Sequence, residues 1–395
     1  MAPHSNSSTT VPKAKYIASK RTVRIAVSFF YFAQGVCFAT WASRIPDLKS
    51  TLQLTDGQLG SILLALPLGQ LLMMPVSGKL TTAFGTKKML IIGAPLYALA
   101  MANLSLASAG WQLALFLFLF GIAGNICNNA LNTQGVIAET FFEKPIMSSF
   151  HGVWSVGGFT GALIGLLMVN LQVVPQVHFS IIALLVGLHI AINHRFLLAG
   201  QKAIEGKKTS FFKKPQGVLV QLGIIGFCSM ATEGAMFDWS GVYFKEIVKA
   251  PNSLIILGYA SFMVMMATGR FLGDRLINSF GRKRLLQISG LVISCGMFMA
   301  VLFPYLVTAT LAFMLVGIGV SSIVPMVYSI AGNNEKVAPG IALAMVGSVS
   351  YFGFLMGPPL IGYISELANL RYSYAVIGCF GLLITALVAK LSAIK

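Results

Sequence analysis

The sequence predicts an all-α membrane protein whose twelve transmembrane helices form two six-helix pseudo-symmetric halves. Three observations support this fold class. Hydrophobic residues make up 56% of the 395 residues and charged residues only 10%, a balance outside the range of ordinary soluble domains. Apolar runs of roughly 20 residues, the length that crosses a bilayer, recur along the chain. A pattern of glycine and basic residues also recurs at half the chain length.

The apolar runs are separated by Gly, Pro and charge clusters, which mark their ends. In the first half the runs cover residues 23–43, 57–79, 88–108, 111–137, 148–170 and 176–197. In the second half they cover residues 217–243, 253–275, 284–303, 306–330, 339–364 and 372–393. We therefore expect an N-terminal tail at 1–21, a six-helix bundle at 22–197, a linker at 198–216 and a second six-helix bundle at 217–395.

The repeat gives the strongest indication of function. Residues 79–88 (KLTTAFGTKK) align with residues 275–284 (RLINSFGRKR) at an offset of 196. The same offset pairs Gly121 with Gly317, Gly157 with Gly353 and Gly161 with Gly357. Parallel repeats of six spans joined by a basic linker are typical of transporters whose halves rock about a central site.

The basic residues predict the orientation of the chain. With alternating spans and a cytoplasmic N terminus, only Arg44, Lys49, Lys245, Lys249 and Arg371 of the loop residues fall outside, and the others fall inside. Basic residues accumulate in cytoplasmic loops, so we expect both termini, the tail and the linker in the cytoplasm. The net charge of +17 is then a topology signal, and we expect no nucleic-acid partner.

The seventh span carries two carboxylates, Glu233 and Asp238, and charges within a bilayer are rare unless they serve a function. Five residues at 100° each set them about 140° apart around the helix. Glu233, near mid-span, is the candidate proton site, because apolar surroundings disfavour a charged carboxylate. Asp238 and its neighbour Trp239 lie nearer the outside, and we interpret them as structural or gate-forming residues. Trp239 is also close to the repeat equivalent of Trp41.

The fourth span carries Asn125, Asn128, Asn129 and Asn132, whose spacing places four carboxamides on one helix face. One interpretation is hydrogen bonding between helices, which is common in membranes. The other, which we favour, is a cavity wall that binds a polar solute.

Stripes that mix aromatic and polar side chains add further candidate solute contacts: Gln34 and Trp41 in the first span, Trp154 in the fifth, Tyr328 in the tenth and Tyr351 in the eleventh. Aromatic packing between helices is the alternative for each. His151, also in the fifth span, is either a structural histidine or a second proton-coupling group.

Further charged residues are candidates for gating. Arg270, Asp274 and Arg275 lie at the cytoplasmic end of the eighth span, where a carboxylate between two guanidinium groups could hold one conformational state. Arg44 follows the first span on the opposite side, and we interpret it as an interfacial anchor or an external gate.

Two later spans carry signals for irregular helices. Ser321, Ser322 and Pro325 predict a kink in the tenth span, and the Gly357-Pro358-Pro359 segment predicts a break in the eleventh.

Several motifs resemble those of a known family. The segment Gly78-Lys79-Leu80 followed by Phe84-Gly85-Thr86-Lys87-Lys88 resembles the loop between helices two and three of the major facilitator superfamily. Thr82 and Asn278 stand where that loop usually has Asp. The set Trp41–Pro46, Ser149–Gly152, Glu233–Ser240, Gly269–Arg275 and Gly357–Gly362 resembles the YbjJ-like branch, near the fucose-permease-like sugar transporters. The resemblance covers all twelve predicted helices and implies a monomeric transporter, with a sugar-like solute.

No nucleotide loop, metal-ligand cluster or nucleophile with its base is evident in the sequence, so we expect neither an enzyme nor a cofactor or metal. The sequence predicts a secondary active transporter for a small polar or amphipathic solute, proton-coupled and multi-pass in the bacterial inner (plasma) membrane. Two alternatives stay open: an antiporter that exports a drug or metabolite, and a membrane receptor or scaffold that has lost turnover.

Overall fold

The computed structural model describes residues 19–142, 146–198, 217–332 and 339–391. Most of the predicted tail and linker lie outside these ranges. The described part folds into the following α-helices: α1 Lys20–Ala42, α2 Ile45–Thr51, α3 Asp56–Leu63, α4 Ala65–Phe84, α5 Thr86–Asn103, α6 Gly110–Glu139, α7 Met147–Asn170, α8 Pro175–Asn193, α9 Gly217–Glu246, α10 Leu257–Phe280, α11 Arg282–Leu302, α12 Leu306–Val320, α13 Ile323–Gly332, α14 Pro339–Leu367 and α15 Leu370–Lys390.

These helices supply 12 candidate membrane spans, which confirms the predicted fold class. The first, second and tenth spans each consist of two helices: α1 with α2, α3 with α4, and α12 with α13. Both chain ends of the bundle lie on one side, which we call the tail side (Lys20 and Lys390). The opposite side, with Thr51 and Glu246, is called the far side.

The two Pro-containing segments behave differently. The tenth span breaks at Ser321 and Ser322, as predicted. In contrast, α14 continues through Pro358 and Pro359, so the predicted break is wrong. Neighbouring helices can support a Pro-containing membrane helix, and here Gly60 of α3 packs directly against the backbone of Pro358.

Helix packing repeats between the halves. In the first half α1 packs on α7 and α4 on α6, and in the second half α9 packs on α14 and α10 on α12. The glycines found by the repeat lie at these contacts. A Cβ added at Gly121 would overlap the carbonyl oxygen of Leu66, and one added at Gly317 would overlap that of Phe262. Leu66 and Phe262 are themselves 196 residues apart, so the repeat extends to individual backbone contacts.

The short loops after α4 and α10 also match. Gly85 has φ 83° and Gly281 has φ 74°, a region that side chains with a Cβ rarely adopt. Each glycine ends one helix and begins the next, because the chain must reverse direction there within a single residue.

Candidate solute and coupling site between the halves

The two halves are joined near the middle of the bundle by Arg270. Its Nη2 atom lies 3.8 Å from Oε2 of Glu233, the predicted proton site on α9. Its Nη1 atom donates a hydrogen bond of 2.9 Å to Ser155 Oγ on α7, in the other half. Glu233 is only 9% exposed, so this long ion pair is largely shielded from solvent.

This geometry differs from the predicted cluster at the end of the eighth span. Arg270 lies one helical turn closer to the centre than Asp274, and its side chain reaches Glu233 and Ser155. Arg275 is exposed, and the side chain of Asp274 lies outside the described part of the molecule. Arg270 therefore belongs to the central site in this structure.

Tyr31 of α1 was not among the predicted site residues. It connects the polar side chains that the first half contributes to the site. Its hydroxyl donates to Oδ1 of Asn132 at 2.7 Å, and Asn132 Nδ2 donates to Oδ1 of Asn128 at 3.1 Å. The edge of the His151 ring lies against Tyr31, with 5.5 Å between ring centroids. A Tyr within an apolar run gave no distinct signal, because aromatic residues are common in such runs.

The asparagine stripe divides between two neighbours. Ser77 of α4 donates to Oδ1 of Asn125 at 2.6 Å and accepts from Nδ2 of Asn129 at 3.4 Å. Asn128 is exposed, whereas Asn132 is half-buried beside Tyr31. Hydrogen bonding between helices thus involves Asn125 and Asn129 with α4 and Asn132 with α1, and the exposed Asn128 is the member of the stripe left for the predicted cavity wall.

An aromatic cluster lies about one turn beyond the polar groups, toward the far side. Trp154 of α7 contacts Phe38 of α1 and Phe237 of α9, with ring centroids 6.1 and 6.3 Å apart. Phe237 also contacts Phe354 of α14, at 6.5 Å. The cluster places rings from both halves against each other, and Trp154 is the predicted solute contact within it.

Of the remaining predicted solute contacts, Gln34 lies apart from this centre, whereas Tyr328 is near enough to Glu233 to interact electrostatically and Tyr351 contacts Phe354 of the aromatic cluster. Gln34 lines a small void of about 10 Å³ inside the first half, beside Cys37 and Cys127. Tyr351 OH donates to Oε1 of Gln70 at 2.9 Å and thereby joins α14 to α4 across the halves. Tyr328 of α13 lies beside Gly347 of α14.

The buried groups predicted near the far side are mostly unpaired. Trp41 and Trp239 are fully buried, and neither indole N–H has a partner in the described part of the chain. Asp238 is 9% exposed and makes no hydrogen bond or ion pair with any described residue. These groups lie within the packed protein, so the tryptophans do not line an open mouth in this structure.

Arg44 links elements of the first half only. Its guanidinium donates to Asp47 Oδ2 at 2.7 Å, to the Val173 carbonyl oxygen at 2.7 Å and to His178 Nδ1 at 3.2 Å. The residue is 3% exposed, and it also lines the far-side cavity between the halves. The anchor and the external gate both stay predictions.

Charged residues that the sequence analysis did not select join the halves on the far side. Lys49 of α2 forms ion pairs with Asp56 of α3 and with Glu246 of α9. Asp56 also accepts a hydrogen bond from Ser365 of α14. We call these four residues the far-side clasp. Because Lys49 and Asp56 belong to the first half and Glu246 and Ser365 to the second, the clasp closes the far side.

A second contact lies beside the clasp. Lys245 of α9 donates to Ser50 Oγ and to the Pro46 carbonyl oxygen, both in α2. A cavity of about 630 Å³ adjoins it and is lined by residues of both halves, including Asp47 and Ser253.

Two repeated helical bundles that meet at a polar centre and are clasped at one end define a membrane transporter. The chain belongs to the major facilitator superfamily, whose family model matches residues 25–338. Its family and its structural relatives are transporters, not enzymes.

The similar proteins cover almost the whole chain. An uncharacterized MFS-type transporter of Yersinia pestis is 31% identical over 373 residues, which cover 94% of this chain and 95% of the relative. The membrane protein MosC of Rhizobium meliloti is 30% identical over 369 residues, covering 92% and 89%. The crystal structure of a D-xylose-proton symporter matches with a TM-score of 0.76 at 15% identity, covering 94% and 98%, and so shares the fold.

Proposed function

We propose that the protein is a secondary active transporter of the YbjJ-like branch, which moves a small polar or amphipathic organic solute, sugar-like in character, by alternating access. We further propose that Glu233 couples transport to protons. The single observation that carries the proposal is the position of Arg270, which pairs with Glu233 in its own half and binds Ser155 in the other.

Protonation of Glu233 would change the contact between the halves. A neutral Glu233 no longer attracts the guanidinium, and an uncompensated cation in apolar surroundings is strongly disfavoured. Arg270 must then bind another partner or move toward water, and this movement weakens or breaks its hydrogen bond to Ser155. The carboxylate thus connects proton occupancy to the relative position of the two bundles.

The solute is assigned to the polar groups next to this bridge. Asn128, which is exposed, and Asn132, which is half-buried and held by the buried Tyr31, offer donors and acceptors suited to hydroxyl groups. Trp154 offers a ring face for an apolar sugar surface. His151 of α7 contacts the ring of Tyr31 and lies one turn before Ser155, the partner of Arg270, so its protonation would also affect solute binding.

The same proposal assigns the sides of the membrane. The excess of basic residues at the tail side makes that side cytoplasmic, in a bacterial inner membrane. The clasp then closes the external side, and the conformation is closed to the outside. We propose a monomer as the transporting unit.

Reconstituted protein tests the coupling. Proteoliposomes with an internal pH dye should show solute-dependent proton movement, and Glu233→Gln should abolish it while solute binding persists. Asp47→Asn, which removes a partly exposed carboxylate whose ion pair with Arg44 stays within the first half, is the matched control and should retain coupling. Coupled transport by Glu233→Gln would overturn the role of Glu233.

The direction of proton movement separates import from export. Solute and protons that move together indicate a symporter, whereas opposite movement indicates an antiporter that exports a drug or metabolite. Solute binding without flux under any gradient would instead support a receptor that has lost turnover. The sequence argument for this alternative is Thr82 and Asn278, which replace the usual Asp in the two repeated loops.

A further inference from the structure

A groove on the outer surface of the first half is unrelated to the central site. It lies on the tail side between α1 and α7 and encloses about 440 Å³. Arg21 and Arg24 line one end, Ser28 lies about one turn further along α1, and Ile25, Phe29 and Val153 belong to its apolar part. Ile25 and Phe29 are exposed, so the apolar part opens toward the membrane.

The groove is basic at one end and apolar at the other, which matches a phospholipid with its charged head group and apolar acyl chains. The basic end begins at Arg21, close to the start of α1, where the helix enters the membrane. Eleven residues separate Arg21 from Phe32 at the other end, a rise of about 16 Å. That distance is close to one half of the hydrocarbon thickness of about 30 Å. A head group at the arginines would therefore leave its acyl chain beside Phe29 and Phe32.

Among the described residues the charge of the groove has no acidic partner. No Asp or Glu of this part of the chain lines the groove. Arg24 is oriented by Ser149, to which its Nη2 donates at 3.4 Å, and by the ring of Phe142, 5.5 Å from its guanidinium carbon. Arg21 is exposed and makes no hydrogen bond or ion pair with the described residues. Two guanidinium groups thus have donors available for an anion.

We propose that this groove binds an anionic phospholipid from the surrounding leaflet, with its phosphate group between Arg21 and Arg24. Arginine is well suited to phosphate because its planar group offers paired N–H donors. A lipid satisfies both ends of the groove, whereas a soluble anion leaves the apolar end without a specific partner. The N-terminal tail is a poor alternative occupant, because residues 1–18 contain Lys13 and Lys15 but no Asp or Glu.

The test compares lipids that differ only in the head group. Full-length protein in a neutral detergent is titrated with phosphatidylglycerol or phosphatidylcholine of identical acyl chains, and bound lipid is counted by native mass spectrometry. We expect a clear preference for phosphatidylglycerol. Because one basic residue contributes about a fivefold preference for anionic lipid, Arg21→Gln and Arg24→Gln should each reduce it by about that factor.

A charge-matched control isolates the groove from general surface charge. The double variant Arg21→Gln/Arg24→Gln should lose most of the preference, whereas Arg282→Gln/Arg284→Gln, which removes two exposed arginines elsewhere on the tail side, should retain it. Unfolding temperatures of both variants without lipid show whether each is folded. Equal binding of the two lipids, or a preference that survives in the groove variant, would overturn the proposal. The proposal would also be overturned if inorganic phosphate raised the unfolding temperature as much as phosphatidylglycerol does, since that would indicate a site for the anion alone.

Discussion

Lys49, at the far end of the first span, forms an ion pair with Glu246, at the far end of the seventh. The pair joins two segments almost 200 residues apart and belongs to opposite halves of the molecule. It closes the far side while Arg270 bridges the halves near the centre. In the proposed mechanism these contacts form and break in turn, and each can be tested separately.

Glu246→Gln should shift the protein toward a conformation that is open on the far side. Partly exposed ion pairs contribute up to about 1 kcal/mol, which corresponds to about a fivefold change in the conformational equilibrium. Spin labels at Thr51→Cys and Asn252→Cys, with Cys295 and Cys379 replaced by Ser, report the distance across the far side. The fraction of long distances should increase in Glu246→Gln.

Lys249→Gln is the control for this experiment, because Lys249 is an exposed far-side cation without an ion pair in the described residues. Its distance distribution should match that of the parent. An unchanged distribution in Glu246→Gln would mean that the clasp does not hold the far side closed.

Arg270→Gln should destabilise the protein more than the double variant Glu233→Gln/Arg270→Gln. Removing the cation alone leaves Glu233 as an unpaired buried carboxylate, which costs about 3 kcal/mol or more. Removing both charges leaves two neutral amides. Thermal unfolding in detergent measures the difference, and the single variant Glu233→Gln completes the cycle. Stability changes of the two single variants that add up to that of the double variant would show that the two side chains are not energetically coupled.

Asn128→Ala and Asn125→Ala should have different effects. Asn128 is exposed next to Tyr31 and Asn132, so its loss should weaken solute binding about tenfold, as expected for a hydrogen bond of about 1.4 kcal/mol. Asn125 is bonded to Ser77, so its loss should lower the unfolding temperature and leave solute affinity nearly unchanged. Calorimetric solute binding and thermal unfolding distinguish these outcomes, and equal effects of both changes on affinity would contradict the division.

Gly317→Ala should destabilise the second half by about 1–3 kcal/mol, because the new methyl group would overlap the Phe262 carbonyl oxygen. Gly187→Ala is the matched control within a membrane helix, since no atom lies within 4 Å of a Cβ built there. That change should be neutral or stabilising by up to about 1 kcal/mol. Similar unfolding temperatures for the two variants would mean that α10 and α12 separate at little cost.

The fold could be predicted from the sequence because hydropathy and the repeat act over long segments. The glycine pairs at an offset of 196, which identified the repeat, lie at close helix contacts in the structure. The contacts of single side chains were harder to predict from the sequence. The charged neighbours of Arg270 suggested a cluster at the helix end, although its long side chain extends to α7 and α9 instead. Helical spacing placed four asparagines on one face but could not indicate that this face borders both α1 and α4.

The far-side clasp was not predicted for a related reason. Lys49 and Glu246 lie in short polar segments that look like ordinary span ends. Their pairing depends on how the two bundles meet, and a single sequence does not give that arrangement. For Lys49, the sequence predicted the side of the membrane but no ion-pair partner.

The far-side contacts also follow the internal repeat. Lys49 and Ser50 correspond, at the offset of 196, to Lys245 and Glu246. Lys49 binds Glu246, and its counterpart Lys245 binds Ser50, so each half contacts the other with equivalent positions. This reciprocity is characteristic of an isologous interface in a homodimer with twofold symmetry. Because the two contacts occupy equivalent positions, a tilt of one bundle away from the other at the far side would break both together, so that the far side would open in a single cooperative step.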